Sequence, residues 1–351
     1  MQLQPKKVGM TCSAVRVTAL AAAVGITAAG LAACAGTPGI PPASAAHLQP
    51  SASSTAPSSG SARSGASTPS GSPTQSGMPA VNVASVPRRV KATGAALADA
   101  NTMRLLWSRQ LNAERPIGSI TKVMTALIVI EAGGLNRPIR IPRAVLRYVA
   151  KYQGESAGLH PGDVVTPREL LYALLLQSGC DAAYVLASTY GPGIPAFLAK
   201  MNATALKLGM THTHFTSPDG LPYPTEYSTY STPADLLTLG IAAMKLPLFR
   251  AIVGQPFYHL AKKRGVHHAY WWDNTNDLIT SYRGADGIKT GYTDAAKHCL
   301  LFEAVRHGTT LIGVVLGSPA TGPDTAALAA TRLLNWGFGL KPAAATGTAS
   351  S

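Results

Sequence analysis

Acidic side chains are scarce in this chain: 16 Asp and Glu stand among 351 residues, against 30 Lys and Arg. The formal net charge of +14 asks for an anionic partner, whether nucleic acid, membrane surface or cell-wall polymer. No block of like charge and no basic-aromatic stripe occurs, so nucleic acid is not the expected partner. Cysteine is rarer still, with only Cys12, Cys34, Cys180 and Cys299. Four so widely dispersed do not make a disulfide framework. The pairs His212/His214 and His267/His268 lack the spaced Cys or carboxylate partners of a metal site, so neither a metal nor a cofactor is expected.

Long apolar runs are also few, and the first one sets the compartment. Lys6, Lys7 and Arg16 precede an uncharged stretch of Ala, Val, Leu, Ile, Gly and Thr over residues 17–33. That is the charged and then apolar layout of an export signal, too short for a comfortable membrane span. It ends in Leu31-Ala32-Ala33-Cys34, which resembles the lipobox of bacterial lipoproteins. The resemblance implies lipidation of Cys34 and anchoring at the outer face of the membrane. Cleavage near Ala43-Ser44-Ala45 is the alternative.

Residues 34–86 are mostly Ser, Pro, Thr, Gly and Ala, with Arg63 as the sole Lys, Arg, Asp or Glu. Such a segment cannot bury enough apolar surface to offset its ordering entropy and reads as a disordered tether. Its reach is roughly 40 Å on average and about 150 Å when extended. Four of the 30 basic residues and none of the 16 acidic ones precede residue 87, so the rest of the chain keeps 26 against 16, a net of +10. Residues 87–341 read as one globular domain, and 342–351 as a disordered tail.

Within that domain, residues 90–97 and 103–107 flank Asp99-Ala100-Asn101 as a β-hairpin, and the apolar runs 299–305 and 310–316 flank His307-Gly308 as another. Ile120, Val123, Leu127 and Ile130 recur at helical spacing up to Gly133-Gly134. Thr166-Pro167-Arg168-Glu169 has capping-box spacing, Asp181 is placed to cap a helix over 182–190, and 324–336 is amphipathic. Strands at both ends with helices between predict an α+β fold: an antiparallel sheet flanked by helices, with a helical subdomain.

Three short patterns then stand in order: Ser119-Ile120-Thr121-Lys122, Ser178-Gly179-Cys180 and Lys289-Thr290-Gly291. Ser119 is the only serine with a lysine three residues later, and Lys-Thr-Gly occurs once. A serine hydroxyl needs a base to become a nucleophile, and a lysine at i+3 on a helix shares its face. Lys122 must be neutral for that task, a form that burial and a neighbouring cation such as Lys289 favour. Lys289 and Thr290 on a strand offer a charge and a hydroxyl to a carboxylate, and Gly291 admits substrate backbone closely. Ser178 can pass a proton to a leaving amine. Any one pattern alone is commonly a helix start or a turn, but the ordered set argues for a site.

The flanks carry a family resemblance. "PIGSITKVMTALIVIE" (116–131), "LLYALLLQSGCDAAYVLA", "FTSPDGL" and "GADGIKTGYTDAAKHCL" resemble the D-alanyl-D-alanine carboxypeptidases of the low-molecular-mass penicillin-binding class, serine peptidase family S11. The resemblance spans essentially residues 90–338. It implies a penicillin-binding protein/serine β-lactamase-like fold with Ser119 as acylated nucleophile, Lys122 as its base, and Ser178 as proton relay and hydrogen-bond partner of Lys122. Lys289 and Thr290 would bind the terminal carboxylate beside Gly291, and the backbone amides of Ser119 and Tyr292 would form the oxyanion hole. The implied substrate is a peptidoglycan stem peptide ending in D-Ala-D-Ala, and β-lactams would acylate Ser119. The family's second motif normally ends in Asn where this chain has Cys180, a substrate-contacting position, and a glycine of the family is Lys297 here. Relatives often add a C-terminal β domain and anchor helix, which this sequence lacks after residue 340, favouring an N-terminal anchor.

Two alternatives fit the same motifs. A serine β-lactamase shares the motifs and their spacing but needs a deacylating Glu-x-x-Leu-Asn loop, which is absent. A catalytically weak penicillin-binding or wall-binding module rests only on Cys180, whose thiol is a poorer hydrogen-bonding group than an amide. Cys180 and Cys299 are expected to be free thiols.

Overall fold

The computed structural model describes residues 86, 87, 89–321 and 325–339. The expected signal segment 1–33, Cys34, the tail 342–351 and all but the last residue of the expected tether lie outside the described residues.

In chain order the strands are β1 (Gly94–Asp99), β2 (Arg104–Arg109), β3 (Arg115–Pro116), β4 (Ile139–Arg140), β5 (Val164–Val165) and β6 (Tyr230–Ser231). They continue with β7 (Phe257–Leu260), β8 (Tyr270–Asp273), β9 (Ala285–Gly291), β10 (His298–Arg306) and β11 (Thr309–Ser318). The helices are α1 (Lys122–Ala132), α2 (Ala144–Tyr152), α3 (Pro167–Leu175), α4 (Cys180–Tyr190) and α5 (Ile194–Lys207). After them come α6 (Pro233–Met244), α7 (Pro247–Val253), α8 (Leu278–Ser281) and α9 (Ala326–Gly339).

Five strands form one antiparallel sheet in the order β2-β1-β11-β10-β9, so the two hairpins read from the sequence meet through β1 and β11. Alternation along each strand sends side chains to two cores. Ala96, Ala98, Leu301, Ile312 and Val314 join α1, α3, α4, α5 and α6 on one face. Ala95, Leu97, Leu300, Phe302 and Val315 meet Ala329, Ala330 and Leu333 of α9 on the other. A sheet covered on both faces needs apolar residues at successive positions, which explains the uninterrupted runs in β10 and β11. The fold is therefore the expected one: an antiparallel sheet flanked by helices, with a helical part inserted between its strands.

Helix α1 lies inside that helical part and is buried on nearly every side from Lys122 to Val129, as a helix apolar all round must be. Gly133 ends it at φ 72. The Thr166 capping box forms as read, with the Thr166 side chain accepting from the Glu169 amide and Glu169 accepting from the Thr166 amide. Asp181 does not act as expected. The N-cap of α4 is Gly179, without a side-chain bond, and Asp181 is a first-turn residue. Its carboxylate accepts from the amides of Ala157 and Leu159 and from Ser156 Oγ, so it fastens the 156–159 loop instead. It is 2% exposed, and those donors supply the partners a buried carboxylate needs.

One polar cluster stands apart from the cleft. Arg250 of α7 bonds Glu303 Oε1 at 2.7 Å and Asp286 Oδ2 at 2.6 Å. Glu303 is 1% exposed, and burial followed by the neighbouring Asp286 pushes its pKa from the ordinary 4.5 up to about 7, against the pull of Arg250. The native state thus holds this proton more tightly than the unfolded chain. The stability it contributes is complete below pH 4.5 and is lost as pH rises through about 7. Thermal unfolding followed from pH 5 to 8 is expected to show a fall of a few degrees in Tm that Glu303→Gln removes. An unchanged slope in the variant would assign the titration elsewhere.

Candidate active site

Ser119 does not sit on α1 itself but on a single 3-10 turn, Gly118–Thr121, that feeds into it. Gly118 has φ 50, a left-handed conformation that glycine adopts without strain, and this bend directs the turn against the end of β9. A Cβ at Gly118 would lie 2.8 Å from the Tyr292 amide nitrogen. A Cβ at Gly291 would lie 2.5 Å from the Ile117 carbonyl oxygen. Both positions must be glycine for the serine turn and the strand end to close on each other. That closure brings Gly118, the residue before Ser119, next to the Tyr292 amide.

Lys122, the first residue of α1, has no exposed surface. Its Nζ lies 2.7 Å from Ser119 Oγ, 3.0 Å from the Asp219 carbonyl oxygen and 3.5 Å from Cys180 Sγ. Lys122 Nζ thus has three polar partners inside the protein although its side chain is fully buried. The Ser178 hydroxyl is not among them. The resemblance placed Ser178 beside Lys122, whereas here Cys180 Sγ and the Asp219 carbonyl fill the remaining directions. Ser178 lies in the bend between α3 and α4 at φ 63 and lines the same cavity as Ser119 and Cys180.

The Asp219 contact was not legible from the motifs. Asp219 belongs to the turn Ser217-Pro218-Asp219-Gly220, held by the Gly220 amide on Ser217 Oγ at 2.9 Å and by Thr125 Oγ1 on the Pro218 carbonyl at 2.5 Å. Gly220, at φ 84, packs so tightly on Gly118 that a side chain there would strike the Gly118 carbonyl. The buried Asp219 carboxylate accepts from Tyr148 Oη at 2.9 Å and from the Leu221 amide at 3.1 Å. The Pro-Asp-Gly turn signature was visible in the sequence, but not that its carbonyl would face Lys122.

Opposite the serine runs β9, an edge strand of the sheet as expected for the third motif. Its residues Lys289, Thr290 and Gly291 pair with Leu301, Leu300 and Cys299. Lys289 is 1% exposed, and its ammonium bonds only the carbonyl and Oγ1 of Thr290, both at 3.2 Å. It makes no ion pair among the described residues. Burial first, and the nearby Lys122 second, hold its pKa well below the usual lysine range. Thr275 was also missed by the sequence reading. Its Oγ1 lies 2.7 Å from Thr290 Oγ1, so a second hydroxyl borders the Lys289 position.

These parts surround a cavity of about 570 Å³ lined by Ser119, Ser178, Cys180, Thr275, Thr290 and Tyr292, among others. Cys180 and Cys299 are both free and buried, as expected, and burial pushes each thiol up to about 12. Neither is a thiolate nucleophile at neutral pH. Lys297, where the family pattern has glycine, adopts φ 55, which is the conformation that favours glycine there. The histidine pairs play no part in the cleft: His212 meets Glu114, and His268 meets Asp163.

The same domain is similar to known proteins. Residues 80–320 match the Peptidase S11 family, D-alanyl-D-alanine carboxypeptidase. The D-alanyl-D-alanine carboxypeptidase of Streptomyces sp. strain K15 is 40% identical over 265 residues, covering 72% of this chain and 88% of that one. The D-alanyl-D-alanine carboxypeptidase DacB2 of Mycobacterium tuberculosis is 38% identical over 255 residues, covering 72% of this chain and 84% of that one. Among solved structures, the Streptomyces K15 DD-transpeptidase matches with a TM-score of 0.67 at 39% identity, covering 72% of this chain and 98% of that chain. Solved variants of that protein replace a serine with alanine and, two residues on, a cysteine with asparagine or alanine. The Ser-x-Cys spacing of Ser178 and Cys180 therefore has a counterpart there.

Proposed function

The chain belongs to the D-alanyl-D-alanine carboxypeptidase family of serine peptidases, and from that premise we propose how its cleft removes the terminal D-alanine of peptidoglycan stem peptides. The observation that carries the reading is the 2.7 Å contact between Lys122 Nζ and Ser119 Oγ at a cavity that Thr290 and Gly291 also line, with the buried Lys289 bonded to Thr290 behind it. With its amine neutral, Lys122 accepts the Ser119 proton along that contact. Ser119 Oγ then attacks the carbonyl carbon of the penultimate D-Ala, and the tetrahedral oxyanion is met by the amides of Ser119 and Tyr292. Collapse breaks the peptide bond. The proton taken up by Lys122 passes to the departing D-Ala amine through the Ser178 hydroxyl, which lines the same cavity and gives up one proton as it receives the other, so that Lys122 is neutral again. Water then hydrolyses the acyl-serine ester, with Lys122 as base.

Lys289 explains why the substrate must end in a carboxylate. A buried ammonium without an ion pair is held at a desolvation penalty, and an incoming carboxylate supplies the missing counter-charge. Thr290 and Thr275 add hydroxyl donors for the second carboxylate oxygen. A β-lactam presents an acylating amide and a carboxylate in the same relation, and acylates Ser119 likewise. A second reading, acyl transfer to an amine instead of water, is favoured by the similarity to a protein known as a DD-transpeptidase. Adding an acceptor amine to the assay separates the two by product.

The expected outcome is D-Ala release from an acyl-D-Ala-D-Ala peptide and labelling by fluorescent penicillin, both abolished in Ser119→Ala. Labelling of that variant equal to wild type would show the nucleophile is elsewhere. The Cys180 thiol is a weak partner for both Lys122 and substrate, and a contact of this kind is worth ~1–3 kcal/mol when made by an amide. Cys180→Asn is therefore expected to raise kcat/KM for D-Ala release about tenfold. Unchanged kinetics would make Cys180 a bystander.

For location, the reading is export and attachment at the outer face of the membrane through a lipid on Cys34, with residues 34–86 as the tether. The support is the charged-then-apolar N-terminus ending at Cys34. Fractionation of cells is expected to move the protein from membrane to soluble fraction on Cys34→Ser, and incorporation of labelled palmitate is expected to cease. Membrane retention of the variant would defeat the lipid anchor.

A further inference from the structure

The hairpin formed by β7 and β8 divides its aromatic residues sharply between two faces. The register pairs Tyr258 with Trp272 and Leu260 with Tyr270 on one side, and His259 with Trp271 and Phe257 with Asp273 on the other. The first face is an anchor. Tyr258 stacks on Tyr172 of α3 at 3.8 Å between centroids, and the buried Trp272 donates its indole N–H to the Ala157 carbonyl at 2.8 Å. The second face is open. Phe257 and Trp271 are 46% and 55% exposed and lie nearly parallel, 4.5 Å apart and 12° off coplanar. His259 adjoins Trp271 at 5.5 Å, and the Trp271 indole N–H is fixed on Asp273 Oδ1 at 2.9 Å.

Large exposed aromatic rings forfeit burial, and two of them locked in parallel on a braced hairpin present an ordered π-surface to solvent. Aliphatic C–H groups on the faces of pyranose rings pack on such surfaces. The turn of the same hairpin carries Lys262, Lys263 and Arg264, all exposed and without an ion pair among the described residues. This is positive charge beside a stacking platform, on a domain with an excess of basic residues. The chain that leaves β8 also reaches the cleft, which Thr275 lines. Four residues after Trp271 comes Thr275, whose hydroxyl contacts Thr290. At the rise of extended chain, four residues span at most roughly 13 Å. A stem peptide of about four residues before the scissile bond, also extended, places the sugar it hangs from at a comparable distance of roughly 13 Å.

We propose that Phe257, His259 and Trp271, with Lys262, Lys263 and Arg264 at the turn, form a subsite for the glycan strand of peptidoglycan that carries the stem peptide held in the cleft. The aromatic rings stack on the sugars, and the turn cations meet the carboxylates of neighbouring stems. The enzyme thereby prefers stem peptides still attached to glycan over free peptides. This inference rests on the carboxypeptidase reading only for its link to turnover, because binding to glycan is measurable without it.

The test compares the full-length protein with Trp271→Ala, Trp271→Phe and Lys262→Ala/Lys263→Ala/Arg264→Ala. D-Ala release is measured from a free acyl-D-Ala-D-Ala peptide and from glycan-linked stem peptides, and binding by co-sedimentation with insoluble glycan stripped of its peptides. Trp271→Ala is expected to raise KM about tenfold for the glycan-linked substrate only, and to lose co-sedimentation. The free-peptide kinetics and penicillin labelling should stay at wild-type level, and Trp271→Phe should restore most of the binding. The triple variant should weaken binding to stem-bearing peptidoglycan and flatten its salt dependence. Equal losses on both substrates, or unchanged KM and co-sedimentation in Trp271→Ala, would overturn the subsite. So would size-exclusion data in which Trp271→Ala converts a dimer to a monomer without affecting glycan binding, since a second copy would then be the occupant. Failure of wild type to release D-Ala from either substrate would instead strike the carboxypeptidase reading, and the co-sedimentation arm would still decide the subsite.

Discussion

An amine nitrogen with no exposed surface must find its polar partners inside the protein, and Lys122 imposes that demand on the centre of this domain. Three separate segments answer it. The serine turn supplies Ser119 Oγ, the start of α4 supplies Cys180 Sγ, and the 217–221 turn supplies a backbone carbonyl. None of these can shift alone. Gly220 packs on Gly118, Gly118 packs on Tyr292, and Gly291 packs on Ile117 and Ile120, so each segment is wedged by the next. The glycines are where side chains had to be absent for the polar atoms around Lys122 to converge.

Around this centre the two buried lysines divide the labour by what surrounds them. Lys122 is saturated by acceptors from the protein, while Lys289, equally buried, has only Thr290 to bond. A cation left in that condition is poised to receive an anion from outside. The asymmetry assigns nucleophile activation to one side of the cleft and carboxylate capture to the other. The strand that carries Lys289 is an edge strand paired on one side by β10, which leaves its other side to face the cavity. The sheet provides rigidity and the helical part provides the nucleophile, so the cleft between them has walls from two sources.

Much of this was legible in the sequence because the signals were local. The Thr166 capping box, the glycine stop after α1, the hairpin at His307-Gly308 and the ordered Ser119, Lys122 and Lys289 patterns each depend on residues within a few positions of one another. What escaped depended on distance along the chain. Asp181 looked like a helix cap, since an acidic residue before an apolar run has that local meaning, yet its carboxylate is claimed by amides 22 and 24 residues earlier. The Asp219 carbonyl and the Thr275 hydroxyl could not be assigned for the same reason: any Pro-Asp-Gly turn or exposed threonine carries the same local signature.

The chemistry of this protein is thus fixed by the sequence at the level of which groups are present: one serine with a lysine on the same helical face, one Lys-Thr-Gly strand, and a positive domain. Helical and strand periodicity suffice for that, because they relate neighbours. Tertiary structure alone decided which partners those groups meet. It put Cys180 and not Ser178 against Lys122, left Lys289 without a counter-charge, and set Phe257 and Trp271 parallel in solvent. Burial and close packing act between residues a hundred positions apart, and no local pattern records them.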